Sequence, residues 1–152
     1  MSKRRPSLDA NQLGFTFDVP VARRQAAGLA GLDRRVSAAV SMALKDDPRS
    51  RDEIAGAVSA LLDEPVSKLM LDAYASEARE GHAISVARFM ALIVVTNRHD
   101  LFDALVRETG AALLVGDEIM TARAGHLRSQ IAKIKVELAR IEGQHVTIGR
   151  AS

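Results

Sequence analysis

At 152 residues the chain has room for one domain, or one domain with an appendage. Hydrophobic residues make up 47% and aromatic residues 3%, so the core must be aliphatic, and the composition favours helices over a sandwich or barrel. Cysteine is absent, which excludes disulfides and thiolate metal sites and fits a cytoplasmic setting.

The net charge of +2 says less than its distribution. Residues 1–24 hold five bases against Asp9 and Asp18, whereas residues 33–82 hold seven bases against ten acids. Residues 117–152 are basic again, with six bases against four acids. The start, Met1-Ser2-Lys3-Arg4-Arg5-Pro6, has no unbroken apolar run after it and does not read as a secretory signal. No stretch of about 18 apolar residues occurs, so no membrane span is expected.

Met1 to about Gly28 reads as an irregular arm. Lys3-Arg4-Arg5 suits phosphate or minor-groove contact, or a solvated terminus. Phe15, Phe17 and Val19 alternate with Thr16 and Asp18, which predicts a short strand or extended clip ended by Pro20. Leu32 to Asp46 reads as the first core helix, with Asp33 as a cap or first-turn acid and Val36, Val40, Ala43 and Leu44 on its apolar stripe.

The stretch Ser50 to Arg79 predicts two capped helices. Ser50 and Glu53 have the spacing of a capping box, and Ile54, Ala57, Val58, Leu61 and Leu62 recur at steps of three and four. Asp63-Glu64-Pro65 stops that helix. Ser67 caps the next, expected from Lys68 to about Ala78, with Val66, Met70, Leu71 and Tyr74 packing backward and small Ala55 and Gly56 at the crossing. The pattern is that of a helix-turn-helix, or of an ordinary helical hairpin in a bundle.

Asp52-Glu53-Ile54-Ala55 followed by Pro65-Val66-Ser67-Lys68 resembles the helix-turn-helix of the lambda-repressor-like family, with Leu69 to Tyr74 in the place of its recognition helix. The chain is also similar to small helix-turn-helix proteins of Mu-like transposable phages and prophages. The resemblance spans roughly Leu32 to Thr109. It departs from the family in a longer turn, Leu61 to Pro65, and in a recognition helix poor in polar side chains.

The resemblance implies an all-α, five-helix domain that binds double-stranded DNA as a transcription regulator. Lys68, Leu69, Asp72, Ala73 and Ser76 would then face the major groove, and Arg49 and Arg51 the phosphates. Lys68 reaches a guanine edge or phosphate, Leu69 a thymine methyl, and Asp72 a cytosine amine. The alternative is a non-enzymatic adaptor that presents the acidic helix-turn-helix face, or the Phe15/Phe17 clip, to a phage or host protein.

Gly81 suits a left-handed cap, and Ser85 opens a helix from Val86 to about Thr96 that is apolar nearly all round, as expected of the core's centre. Asn97 is its stop, and His99 to Glu108 predicts a further helix ended by Gly110. Ala111 to Val115 has the character of a strand that pairs with Phe15 to Val19.

From Asp117 to about Gly143, Met120, Ala124, Leu127, Ile131, Ile134, Leu138 and Ile141 are spaced 4, 3, 4, 3, 4, 3, a heptad seam. It predicts a coiled coil that forms a homo-oligomer, or a long helix folded back on its own domain. A parallel pair would set Arg123 against Arg128 and Glu137 against Glu142, so an antiparallel pair or hairpin stays open. The expected organisation is an arm over residues 1–30, a helix-turn-helix domain over 31–110, and an oligomerisation helix and tail over 111–152.

No catalytic constellation stands out. His82, His99, His126 and His145 are scattered, the glycines of GLAGLD lack a phosphate-loop lysine, and Ser37 and Ser41 have no partnered base. No enzyme, metal or cofactor is expected.

Overall fold

A computed structural model describes residues 18–78 and 81–144. Among the described residues the fold is all-α, with six helices and no strand. The basic arm at Lys3-Arg4-Arg5, the Phe15/Phe17 clip and the tail after Gln144 lie outside the described residues. The chain divides into two units, on either side of Ala112 and Leu113.

In the first unit, α1 spans Leu32–Asp46. Its N-cap is Gly31, whose φ of 72° is a left-handed conformation that glycine adopts without steric cost, and Asp33 serves as the first-turn acid, not as the cap. It stops at Asp47, extended ahead of Pro48. α2 spans Arg51–Leu62 and opens with the full capping box: Ser50 Oγ accepts from the Glu53 amide at 3.2 Å, and Glu53 Oε2 accepts from the Ser50 amide at 2.7 Å. Asp63 closes it at φ 53°.

α3 spans Lys68–Tyr74, capped by Ser67 Oγ accepting from the Met70 amide at 3.2 Å. It ends about one turn before the expected Ala78. Past Tyr74 only the methyl of Ala75 packs on the core and Ala78 is exposed, so little apolar area rewards a further turn; the Ser76 amide instead donates to the Ala73 carbonyl at 3.3 Å, a tightened end. Gly81 has a φ of 88° but lies in the connection beyond, not at the cap of α3.

α4 spans Val86–Thr96, with Ser85 as N-cap and Asn97 in the left-handed region as C-cap. α5 spans His99–Arg107. Glu108 accepts the Arg23 amide at 3.0 Å through its carbonyl, so the segment from Asp18 to Gly31 lies along the end of α5. There Gly110, at φ 83°, passes so close to the Ala22 backbone that a Cβ would meet its nitrogen at 2.9 Å. Ala111 to Val115 is irregular, not the expected strand. Most of its supposed partner lies outside the described residues, and a lone pair of short strands is only marginally stable.

The five helices close around α4, which packs on α1, α2 and α5, while α3 packs on α1 and α2. Val40, Ile54, Val58, Leu71 and Leu92 are fully enclosed, and Phe89 meets Phe102 edge to face with ring centroids 5.6 Å apart. Two expectations change. α4 is not apolar-buried all round: Val86, Met90 and Val94, at steps of four, form an exposed stripe opposite Phe89, Leu92 and Ile93. Gly56 is not at a helix crossing, since a Cβ there would meet nothing, whereas Ala55 is buried.

In the second unit, α6 spans Asp117–Gln144, 28 residues with none buried. No described helix is long and apolar enough to cross a membrane.

Leu92→Ala removes a fully enclosed side chain from the helix on which three others rest. It is expected to lower unfolding stability by about 2–5 kcal/mol in denaturant titrations.

Candidate nucleic-acid interface

The corner between α2 and α3 is held by one serine. Ser59 lies in the last turn and a half of α2, and its hydroxyl donates to the Ala55 carbonyl at 2.7 Å. The same oxygen accepts from the Val66 amide at 2.8 Å and lies 3.0 Å from the Val66 carbonyl. The Ser59 carbonyl in turn accepts the amides of Asp63 and Glu64. One residue thus satisfies both ends of a five-residue connection that has no glycine. Ser59 belongs to no motif in the sequence. Its signal is a serine inside an apolar helical run just before the break, a position where a hydroxyl competes for backbone groups.

From this corner, Leu71 and Tyr74 turn inward and fix the rotation of α3. Lys68 and Leu69 then face solvent, Leu69 at 77% exposure. Asp72 and Ala73, on the same helix, are half-buried; Ser76, also half-buried, lies beyond the end of α3 and so is not on the helix expected to carry it. Arg51, from the first turn of α2, donates to Asp72 Oδ1, so these two expected contact residues are joined to each other. Arg49 is engaged elsewhere: it holds both oxygens of Asp47, at 2.9 and 2.7 Å, and donates to the Val95 carbonyl at 2.6 Å. The structure therefore brings Lys68, Leu69, Asp72 and Arg51 to one surface and ties Arg49 to the end of α4.

The neighbouring charges are paired as well. Arg88 donates to Glu64 at 2.8 Å and to the Tyr74 hydroxyl at 2.6 Å, which joins the start of α4 to the corner. Those two contacts, Glu64 first, hold its guanidinium more firmly protonated than usual. Asp52, Glu53 and Asp63 are exposed acids. Among the described residues, no three His, Cys, Asp or Glu side chains converge as a metal site.

On α6, Met120, Leu127, Ile131, Ile134, Leu138 and Ile141 are all solvent-exposed, from 43% to 66%. Ala124 between them is half-buried.

No family model, curated protein or solved structure matches the chain.

Ser59→Ala leaves the Val66 amide without its acceptor, and is expected to lower stability by about 1–3 kcal/mol with the helix content of the native state retained. The Asp47 latch adds a pH dependence. The Arg49 guanidinium holds the Asp47 carboxyl below its ordinary 3.8. A depressed carboxylate stabilises the fold above its unfolded pKa, and that contribution disappears as pH falls through the folded value. Denaturation midpoints should therefore drop as pH falls below about 4, and Asp47→Asn should flatten that acid limb.

Proposed function

We propose that the α2–α3 corner is a helix-turn-helix of lambda-repressor-like type, and that the protein is a non-enzymatic, phage-type transcription regulator that sets α3 in the major groove of double-stranded DNA. The observation that carries this reading is the presentation of α3. Its inner face is anchored by Leu71 and Tyr74, its start is capped by Ser67, and Lys68 and Leu69 stand clear of the fold. A short helix held this rigidly at one end of a corner is what groove reading requires.

The charge arrangement sets the terms of binding. Among the described hydrogen bonds and ion pairs Lys68 has no partner, whereas Arg51 is neutralised by Asp72. Phosphate attraction depends on unpaired cations. In the free protein, then, Lys68 makes the first contact and Arg51 joins when Asp72 is drawn to a base edge or exchanged for a phosphate.

A second reading is favoured by a specific observation. Leu69, together with the exposed stripe Val86, Met90 and Val94 on α4, is more apolar surface than DNA needs and suits a protein partner. On that reading the same fold is an adaptor.

A mobility shift with random-sequence duplex at low and moderate salt separates the two. Lys68→Ala is expected to weaken binding and reduce the salt slope by about one. Asp72→Asn frees Arg51 and removes an anion, and is expected to tighten binding roughly threefold to tenfold at low salt. If neither the native protein nor Asp72→Asn retards DNA at low salt, the DNA reading fails and the adaptor reading stands.

A further inference from the structure

We propose that α6 pairs antiparallel with α6 of a second copy of this chain. The inference does not depend on DNA binding. No residue of α6 is buried, and its six large seam residues, Met120, Leu127, Ile131, Ile134, Leu138 and Ile141, are all exposed. Their heptad spacing keeps them on one face along the whole helix. A continuous stripe of this kind is stable in water only when covered.

Charge and side-chain size select the occupant and its direction. Arg123 and Glu137 flank one side of the seam, and Arg128, Lys135 and Glu142 flank the other. In a parallel pair, Arg123 faces Arg128 and Glu137 faces Glu142, so like charges meet at both ends. Reversing one helix about a dyad between Ile131 and Ile134 carries Arg123 to the end that holds Glu137 of the second copy, and Arg128 to the end that holds Glu142. Each attraction occurs twice. Near the dyad Lys135 meets Lys135 and Arg128 of the second copy, so like charges meet at the centre of the antiparallel pair, while the attractions lie toward its two ends. In the free chain Glu137 is paired with Arg140 at 2.8 Å, but both are more than half exposed, so Arg123 of the second copy joins an accessible carboxylate.

The core layers follow the same choice. A parallel pair stacks Ala124 on Ala124 and leaves a hole, whereas the antiparallel pair sets Ala124 against Ile141, Leu127 against Leu138 and Ile131 against Ile134. Small against large fills these three layers evenly, and Met120 lies beyond them at the start of α6.

The chain has no cysteine, so one introduced thiol is unique. Thr121→Cys, at an exposed position early in α6, carries a nitroxide label on the full chain, with light scattering for mass and pulsed electron paramagnetic resonance for distance. Antiparallel pairing separates the two labels by about 35 Å along the axis, while parallel pairing brings them within about 15 Å. Mixing labelled Thr121→Cys with labelled Gly143→Cys should add a short separation that neither shows alone, which guards against disturbance by one label. Two chains per particle with the long separation is the expected result. A single chain per particle, more than two chains, or the short separation from Thr121→Cys alone overturns the proposal.

Discussion

The first unit depends on burying the inner face of α4. With one tyrosine, four phenylalanines and no tryptophan in the chain, there are few large rings to fill a core. Leu92, fully enclosed, and Phe89 and Ile93 beside it supply the surface on which α1, α2 and α5 close. Aliphatic side chains of this kind stabilise by the area they remove from water, at about 25 cal/mol per Å². α3 enters that core through Leu71 and Tyr74, and its direction is therefore decided by the same packing. What faces outward on α3 is a consequence of what faces inward.

Arginine does the joining between helix ends. Arg98 bridges Asp46, at the end of α1, to Asp100, at the start of α5, at 2.7 and 2.9 Å. Arg88 joins α4 to the corner, Arg35 reaches Glu108 at 2.7 Å, and Arg49 ties the start of α2 to the end of α4. The planar guanidinium suits this, since it can satisfy a carboxylate and a carbonyl at once. The consequence is electrostatic: Arg49, Arg51 and Arg88 are each paired with an acid nearby. That explains how seven bases against ten acids over residues 33–82 leave little free positive charge at the corner.

Local signals were legible and long-range ones were not. Ser50 with Glu53, Ser67, Ser85 and Asn97 mark helix ends because a cap is decided by residues within one turn. Helix periodicity picked out Val40, Leu44, Ile54 and Val58 for the same reason. The exposed stripe of α4 was missed because Val86, Met90 and Val94 are as apolar as Phe89 and Leu92, and only the neighbouring helices decide which face is covered. The Arg51–Asp72 pair lies 21 residues apart, and the Ser59–Val66 latch crosses the break between two helices. Neither has a periodic signature, and both bear directly on the candidate site.

The two units differ in how they are held. The first carries its own core, whereas α6 has no buried residue and contains glycines at 125 and 143. Each glycine costs about 1 kcal/mol against alanine within a helix, and isolated helices are marginal in water even from good formers. Helicity in α6 is then coupled to whatever covers its seam. Covering by a second copy makes that helix content dependent on protein concentration, because association and ordering draw on the same free energy. On the proposed pairing, two-fold symmetry would appear only above a threshold concentration, whereas the first unit has a core of its own to hold it. The stability of the fold and the order of the assembly would then be carried by separate stretches of the chain, since the core lies in the first unit and the exposed seam in α6.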